Sequence, residues 1–133
     1  MLKNDASLTL LVNNNKKYLF YLRDEKSSIY YPGTWSLLGG TAENDESPQE
    51  TVIREVKEEI DYDIKLDKFI GSFIDDYDNY INVFKAKIDK GIEEIILTEG
   101  QRLKYFDFEM ALKINLVPPL KKFLIENKDK AIN

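Results

Sequence analysis

Three glutamates in one short segment are the residues of this chain best suited to chemistry. Glu55, Glu58 and Glu59 stand at positions i, i+3 and i+4, so in a helix, at about 100° per residue, their side chains share one face. Like charges at this spacing destabilise a helix by roughly 0.2–0.5 kcal/mol per pair. A hard divalent cation such as Mg²⁺ prefers oxygen ligands and would offset this repulsion. The spacing therefore predicts a metal-binding face that can receive a phosphate group.

Four nearby residues support this interpretation. Arg54 adjoins the first glutamate and precedes the second by four residues, so its guanidinium can hold a carboxylate in one rotamer and offset part of the charge. Gly39 and Gly40 allow the backbone to approach a ligand closely. Glu46 lies between the glycines and the acidic segment, as a peripheral ligand or a partner of Arg54. An isolated E-x-x-E-E run is more often a solvated helix face, but several features here agree on one site.

Helix-start signals define the register of the acidic face. Ser47 suits the N-cap, Pro48 suits the first helical position, and Glu50 completes a capping box with Ser47. Apolar residues then recur at helical spacing: Val52, Ile53, Val56 and Ile60. This stripe lies about 130° around the axis from the acidic face. We therefore expect a helix that packs on one side and presents carboxylates to a cleft.

Composition narrows the possible chemistry. The 133 residues include no cysteine and no histidine, which excludes disulfides, imidazole catalysis and the usual zinc enzymes, so carboxylates, lysine or tyrosine must do any acid or base work. Length and a hydrophobic content of 43% predict one domain over residues 1–133. The net charge of -5 argues against a nucleic-acid partner. No signal-peptide pattern and no run of about 18 apolar residues occurs, so we expect a cytoplasmic protein without a membrane span.

Two β-hairpins are expected along the chain. Residues 7–12 and 17–23 are rich in strand formers on either side of an asparagine triplet, and predict the first hairpin. Residues 64–74 and 80–88 predict the second, around an acidic turn at 75–79. We expect residues 7–12 to form an exposed edge strand that could pair in a dimer.

The remaining sequence predicts further strands and helices. Short extended runs are expected at 95–98 and 102–106. Asp107 should cap a short helix over residues 108–113, and a final helix should begin near Pro118. Strands interleaved with helices predict an α/β protein with a mixed sheet between helices.

Residues 40–62 resemble the signature of the Nudix hydrolases. That signature is G-x5-E-x7-R-E-U-x-E-E-x-G-U, where U is a bulky apolar residue, and the matching positions are Gly40, Glu46, Arg54, Glu55, Val56, Glu58, Glu59 and Tyr62. Asp61 occupies the position of the second glycine, which implies a small stability cost where the helix ends in a left-handed conformation. The resemblance implies the α/β/α sandwich of the Nudix fold, with a mixed β-sheet, across essentially the whole chain.

The resemblance also implies a reaction and a cofactor. MutT-like Nudix hydrolases cleave a nucleoside diphosphate linked to another group, so the expected substrate is a small nucleotide, either a nucleoside triphosphate or a nucleotide sugar. The implied cofactor is Mg²⁺, with Mn²⁺ as an alternative. The implied metal ligands are the Gly39 carbonyl, Glu55, Glu58, Glu59 and Glu99. Glu55 or Glu99 would be the general base, with Arg54 as the residue that orients a carboxylate.

Glu99 joins this set through its sequence context. Glu99 with the following Gly-Gln, a later Tyr-Phe pair and a Pro-Pro pair is similar to the C-terminal part of MutT-like members, where the matching glutamate approaches the metal. Considered alone, a glutamate beside a glycine is usually a solvated loop residue.

The predicted substrate-binding residues are Arg23, Gly40, Glu46 and Trp35. Arg23 closes the second strand, where a guanidinium can bind a terminal phosphate or remain a surface charge. Trp35 can stack on a base, or pack within the sheet as aromatic residues in extended segments usually do.

Two other functions stay open on the sequence. The first is a catalytically inactive nucleotide-binding or regulatory module with the same fold, which would be expected to lose one of the helix glutamates, whereas this chain keeps all of them. The second is an acidic interaction protein without a ligand, which would leave the cap, the glycines and the carboxylate spacing unexplained. The identity of the nucleotide and the choice between monomer and homodimer are not encoded in any motif.

Overall fold

The computed structural model describes residues 4–97, 100 and 102–133 of the chain. It contains a seven-stranded mixed sheet with helices on both faces. The strands are β1 (Asp5–Val12), β2 (Tyr18–Leu22), β3 (Trp35–Ser36), β4 (Leu38–Thr41), β5 (Leu66–Ile74), β6 (Tyr80–Lys87) and β7 (Arg102–Phe106). The helices are α1 (Pro48–Ile60), α2 (Phe108–Ala111), α3 (Pro118–Glu126) and α4 (Lys128–Ile132). The predicted α/β fold with a mixed sheet is confirmed.

Strand β1 is the centre of the sheet. It pairs in parallel with β6 over all eight of its residues. On its other side it pairs antiparallel with β4 through residues 6–9 and with β2 through residues 11–12. The partner strand on this side therefore changes at Leu10. The expectation that residues 7–12 form an exposed edge is wrong, because both sides of β1 are paired. Its nearly continuous apolar run is typical of a strand that is covered on both faces.

Two apolar cores flank the sheet. Neighbouring residues of a strand point to opposite faces, so Leu10 enters the core beneath α3 and α4 while Leu11 enters the core beneath α1. Helix α1 contributes Val52, Val56 and Ile60 to its core. Each fully buried leucine or isoleucine stabilises the fold by roughly 1.5–3 kcal/mol. Helix α1 is thereby held against β1 and β4.

Helix α1 begins and ends at the predicted residues. The Ser47 hydroxyl accepts the Glu50 amide at 3.1 Å and the Glu50 carboxylate accepts the Ser47 amide at 2.8 Å, which completes the capping box. The helix ends at Asp61 in a left-handed conformation, with φ 53° and ψ 45°. A hydrogen bond from Lys57 lowers the pKa of the Asp61 carboxyl. Ile53, expected in the apolar stripe, is 40% exposed, because it lies at the edge of that stripe.

The C-terminal half follows the sequence prediction in part. Strands β5 and β6 form the second hairpin, and Asp107 caps α2 by accepting the Met110 amide at 2.8 Å. No strand forms at residues 95–97, which follow a short 3₁₀ helix at Ile92–Glu94, while Thr98 lies outside the described residues. Within the described ranges, no helix combines the length and the apolar character needed to cross a membrane.

Candidate active site

The acidic face of α1 opens onto a cavity of about 470 Å³, which we call the acidic cavity. Two of the predicted carboxylates, those of Glu55 and Glu59, belong to residues that line it. Further lining residues come from the segment after β2, from β4 and from the segment that follows β4, among them Arg23, Asp24, Gly39, Gly40, Thr41 and Glu43. The structure therefore brings four of the residues predicted from the motif and one predicted phosphate ligand, Arg23, to a single space.

The two glycines of β4 serve different purposes. A Cβ atom on Gly40 would lie 2.4 Å from Cδ of Glu55, so the Glu55 carboxylate occupies the space that a side chain at position 40 would take. A Cβ on Gly39 would lie 2.0 Å from the backbone oxygen of Ser7, and Gly39 has φ +148°. The Gly39 amide donates a hydrogen bond to Oε1 of Glu59 at 3.0 Å. Gly39 thus lets two strands meet, whereas Gly40 makes room for a carboxylate.

Arg54 organises the carboxylates of α1. Its Nε and Nη2 atoms bind both oxygens of Glu46, at 2.7 and 3.0 Å. Nη1 donates to Oε1 of Glu55 at 2.9 Å and to Oε1 of Glu58 at 3.1 Å. Nη2 also donates to the backbone oxygen of Thr41 at 3.1 Å, which ties the helix to the end of β4. A planar guanidinium can satisfy this many acceptors in fixed directions, and a lysine cannot.

Glu46 and Arg54 are both charged around neutral pH. The hydrogen bond from Arg54, followed by that from the Glu43 amide, lowers the pKa of Glu46 from 4.5 to about 2. The hydrogen bond to Glu46 in turn raises the pKa of Arg54. Glu46 is therefore the partner of Arg54, one of the two roles expected for it, and Arg54 remains cationic between the acidic side chains.

The donor set fits a hard divalent ion in part. Across residues 4–97, 100 and 102–133, no three acidic side chains converge closely enough to hold a metal ion. Arg54 forms ion pairs with both Glu55 and Glu58. Mg²⁺ is commonly held by one or two carboxylates together with water and substrate phosphates. Glu55 and Glu59 supply that number of carboxylates in one cavity, and Glu59 is only 5% exposed.

Trp35, a predicted substrate-binding residue, packs within the sheet. Trp35 is 8% exposed and packs edge-on against Phe106, with a ring-centroid distance of 5.2 Å. The structure thus shows sheet packing, the second of the two roles considered for Trp35. Glu99 lies outside the described residues, so its role stays a prediction. Its neighbour Gly100 lines the acidic cavity and has φ +82°.

A second cavity, of about 180 Å³, adjoins the first, and we call it the apolar cavity. Its apolar lining comes from β1, β5, β6, α3 and the residue before α3: Ala6, Leu8, Phe73, Ile81, Leu120 and Val117. Asn4, Ser36 and Asp75 are polar residues that also line it. Tyr30, Tyr31 and Asn79 line it from two loops. The two cavities share Tyr21, Arg23, Gly39, Gly40 and Thr41. Sequence reasoning missed the loop tyrosines, whose only signal was an aromatic pair inside a loop rich in serine, proline and glycine.

Arg23 stands where the two cavities meet. Its Nε atom donates to the backbone oxygen of Tyr30 at 2.9 Å, and its Nη1 atom donates to the Tyr21 hydroxyl at 3.0 Å. These contacts hold the guanidinium at the boundary between an apolar space and a carboxylate-lined space.

This architecture defines an α/β/α sandwich built around a carboxylate-bearing helix, and comparisons identify its family. The family model of the NUDIX domain matches residues 2–126. A comparison with curated proteins gave no significant match. The chain belongs to the Nudix family, the hydrolases that act on phosphoric anhydride bonds.

Solved structures share this fold at low sequence identity. A MutT protein from Methanosarcina mazei Go1 superposes with a TM-score of 0.81 and is 21% identical, with 98% of this chain and 96% of that chain covered. A C. elegans Ap4A hydrolase in a binary complex superposes with a TM-score of 0.76 and is 19% identical, with 94% of this chain and 96% of that chain covered. The E. coli dihydroneopterin triphosphate pyrophosphohydrolase superposes with a TM-score of 0.75 and is 16% identical, with 97% of this chain and 99% of that chain covered. At these identities the likeness establishes the fold.

Proposed function

We propose that this protein is a metal-dependent pyrophosphohydrolase that cleaves a nucleoside diphosphate linked to another group, with a nucleoside triphosphate or a nucleotide sugar as substrate. The observation that carries the proposal is the wall of the acidic cavity, where Glu55 and Glu59 lie beside Gly39 and Gly40 while Arg54 holds Glu55. Two proteins with this fold, the Ap4A hydrolase and the dihydroneopterin triphosphate pyrophosphohydrolase, carry names that support a polyphosphate substrate.

A divalent cation is part of this proposal. Members of the Nudix family generally use divalent metals such as Mg²⁺. The residues that would hold Mg²⁺ or Mn²⁺ are Glu55 and Glu59, with Glu58, Glu99 and the Gly39 carbonyl as the further ligands. When bound, such an ion would neutralise the negative charge of the phosphate oxygens and polarise the attacking water.

The residues of the chain supply the rest of the reaction. Water adds to phosphorus, the anhydride bond breaks, and the departing phosphate leaves with the bonding electron pair. Glu55 or Glu99 accepts the proton of the attacking water, and Arg54 keeps the Glu55 carboxylate in place. Arg23 faces the same cavity and binds a phosphate oxygen through its guanidinium. Gly40, predicted to bind substrate, leaves the space in which the Glu55 carboxylate lies beside the backbone.

The test is a product analysis on purified protein. Nucleoside triphosphates, nucleotide sugars, ADP-ribose and dinucleoside polyphosphates are each incubated with Mg²⁺, with Mn²⁺ and with chelator, and the phosphate products are identified. We expect turnover of one class that requires metal. Glu59→Gln should abolish it while leaving the circular dichroism spectrum unchanged, and an active Glu59→Gln variant would overturn the assignment of the acidic cavity.

The same experiment distinguishes the proposed hydrolase from the alternative, a catalytically inactive nucleotide-binding module. Failure of every substrate to turn over, with nucleotide binding retained in calorimetry, would instead establish a binding module. The cytoplasmic location, the single-domain organisation, the absence of a nucleic-acid partner and the choice between monomer and homodimer stay predictions.

A further inference from the structure

Every N–H group of the Arg54 guanidinium already has an acceptor. Nε and one hydrogen of Nη2 bind Glu46 at 2.7 and 3.0 Å, and the other hydrogen of Nη2 binds the backbone oxygen of Thr41 at 3.1 Å. Nη1 donates to Glu55 at 2.9 Å and to Glu58 at 3.1 Å. Since a guanidinium carries five N–H donors, these five contacts use all of them.

Glu43 supplies a further carboxylate beside the same nitrogen. Its Oε1 atom lies 3.5 Å from Nη1 of Arg54, which is an ion-pair distance but is longer than an ordinary hydrogen bond. Because Glu55 and Glu58 occupy both hydrogens of Nη1, Glu43 pairs with Arg54 through charge alone. Glu43 can accept a hydrogen bond from Nη1 only if one of those two acceptors leaves.

The backbone of Glu43 is fixed while its side chain has room to move. The Glu46 amide donates to the backbone oxygen of Glu43 at 3.0 Å, and the Glu43 amide donates to Oε1 of Glu46 at 2.9 Å. The side chain of Glu43 is 64% exposed. The turn between β4 and α1 therefore keeps this carboxylate next to Arg54 without locking its rotamer.

Glu58 is the acceptor best able to leave Arg54. Its side chain is 57% exposed, against 19% for those of Glu46 and Glu55. Glu43, Glu55 and Glu59 line the acidic cavity, but Glu58 is not among the described residues that do so. Glu58 must therefore turn away from Arg54 before it can act as the metal ligand that the family resemblance implies.

Departure of Glu58 would leave a deficit on Arg54. The guanidinium is only 21% exposed, and it would lose one acceptor and one neighbouring negative charge. A largely buried donor without a partner is costly. A shift of about 0.5 Å brings the Glu43 carboxylate from its present distance to that of a normal hydrogen bond.

We propose that Glu43 is a positioning residue that takes the place of Glu58 on Nη1 of Arg54 when Glu58 turns to a bound divalent cation. The exchange keeps Arg54 fully paired, so that Arg54 continues to orient Glu55. This inference rests on the proposed function for its cation. It adds a carboxylate that assists cation binding through Arg54, without itself being a ligand.

The experiment measures cation affinity and does not depend on turnover. Mn²⁺ alone, without nucleotide, is titrated into wild-type protein and into Glu43→Gln by calorimetry. Exposed ion pairs change an equilibrium by roughly 1.4- to 5-fold, so Glu43→Gln should weaken Mn²⁺ binding about threefold. Asp45→Asn is the matched control, because Asp45 is exposed in the same turn and its replacement removes the same charge. An equal loss in Asp45→Asn would show a general effect of charge and overturn the inference.

A double-mutant cycle tests whether Glu43 acts through Arg54. In an Arg54→Gln background, Glu43→Gln should have no further effect on Mn²⁺ affinity, since the nitrogen that receives Glu43 is gone. The same threefold loss in that background would show that Glu43 acts directly on the cation, and would overturn the inference. If Arg54→Gln does not fold, Glu58→Gln is the second background, because it removes the carboxylate that is exchanged.

A crystal structure of the Mn²⁺-bound protein gives a direct readout of the exchange. We expect Glu43 within hydrogen-bond distance of Nη1 and Glu58 turned away from it. Glu58 still bound to Nη1 beside an occupied metal site would overturn the inference. Wild-type protein that binds no Mn²⁺ would contradict the proposed function together with the inference, whereas Mn²⁺ binding that Glu43→Gln leaves unchanged would overturn the inference alone.

Discussion

The two cavities on either side of Arg23 are assembled in different ways. Most of the acidic cavity comes from residues 39–59, a stretch whose strand, turn and helix are neighbours in sequence. The apolar cavity draws on β1, two loops, β5, β6 and α3, which extend from Asn4 to Leu120. The lining of the acidic cavity is thus encoded mainly in a short segment, whereas the apolar cavity requires the whole fold. Loss of a carboxylate that lines only the acidic cavity should therefore leave binding in the apolar cavity intact, and the first experiment below tests that separation.

Glu59→Gln should produce the largest loss. The amide oxygen of glutamine can still accept the Gly39 hydrogen bond, but the charge that favours a cation is gone. Since even indirect metal-site substitutions commonly cost 10- to 100-fold, loss of a ligand should reduce kcat by at least about 100-fold. Metal-free binding of nucleoside monophosphates, measured by calorimetry, should not change. A parallel loss of nucleotide affinity would show that the cavities are not separable.

Gly40→Ala should impair catalysis without unfolding the protein. The new Cβ would lie 2.4 Å from Cδ of Glu55, and that flexible carboxylate must move. A displacement of about 1 Å in a catalytic group can cost on the order of 100-fold in rate. Kinetics and the melting temperature should show a large loss of kcat with little loss of stability. Gly39→Ala gives the contrast, because its Cβ meets the backbone oxygen of Ser7 and should destabilise the fold itself.

Arg54→Lys should have an intermediate effect. An ammonium group cannot bind both oxygens of Glu46 and also reach Glu55 and Thr41, so the Glu55 carboxylate loses its orientation. We expect kcat to fall about tenfold, as is typical when a residue that orients a ligand is replaced, with KM little changed. Steady-state kinetics check this, and a large change in KM with unchanged kcat would indicate a direct contact with substrate instead.

The contributions of Glu46 and Tyr31 to stability should be lost at opposite ends of the pH scale. The pKa of Glu46 is lowered from 4.5 to about 2, so its contribution to stability is present above pH 4.5 and is lost as the pH falls towards 2. Urea unfolding should show that Glu46→Gln destabilises the protein at pH 7 but has a smaller effect near pH 3. The pKa of Tyr31 is raised above 10.0, so its contribution is present below that pH and is lost only in more alkaline solution. An effect of Glu46→Gln that is the same at both pH values would contradict the lowered pKa.

Asp61→Gly should give the smallest change, and in the stabilising direction. Glycine adopts the left-handed conformation of this position without a Cβ clash. The ion pair with Lys57 that would be lost is exposed and contributes little. A rise in melting temperature of about 2 °C is expected in a scanning calorimeter, with unchanged kcat. Asp61→Ala is the control and should lower the melting temperature.

Local sequence patterns predicted the acidic cavity far better than the apolar cavity. Capping by Ser47 and the helical spacing of Glu55 and Glu59 operate within a few residues, so the acidic face of α1 could be derived from sequence. The central position of β1 in the sheet could not be derived from sequence, because residue 5 pairs with residue 80 and the pattern of a strand does not identify the strand it pairs with. The contact between Tyr31 and Asp76 was equally hidden, since the two residues lie 45 positions apart in sequence. Trp35 shows the same limit, because only the folded sheet decides between packing and stacking.

The pairing of β1 has a consequence for synthesis on the ribosome. Of the residues that the structure describes, all those that line the acidic cavity except Gly100 have been translated by the end of α1. The strand that covers β1 over its whole length, β6, is translated later. A nascent chain that ends after α1 would carry all the carboxylates of the helix beside a strand with one unpaired edge. Such edges promote aggregation, so the growing chain needs shielding until β6 has emerged.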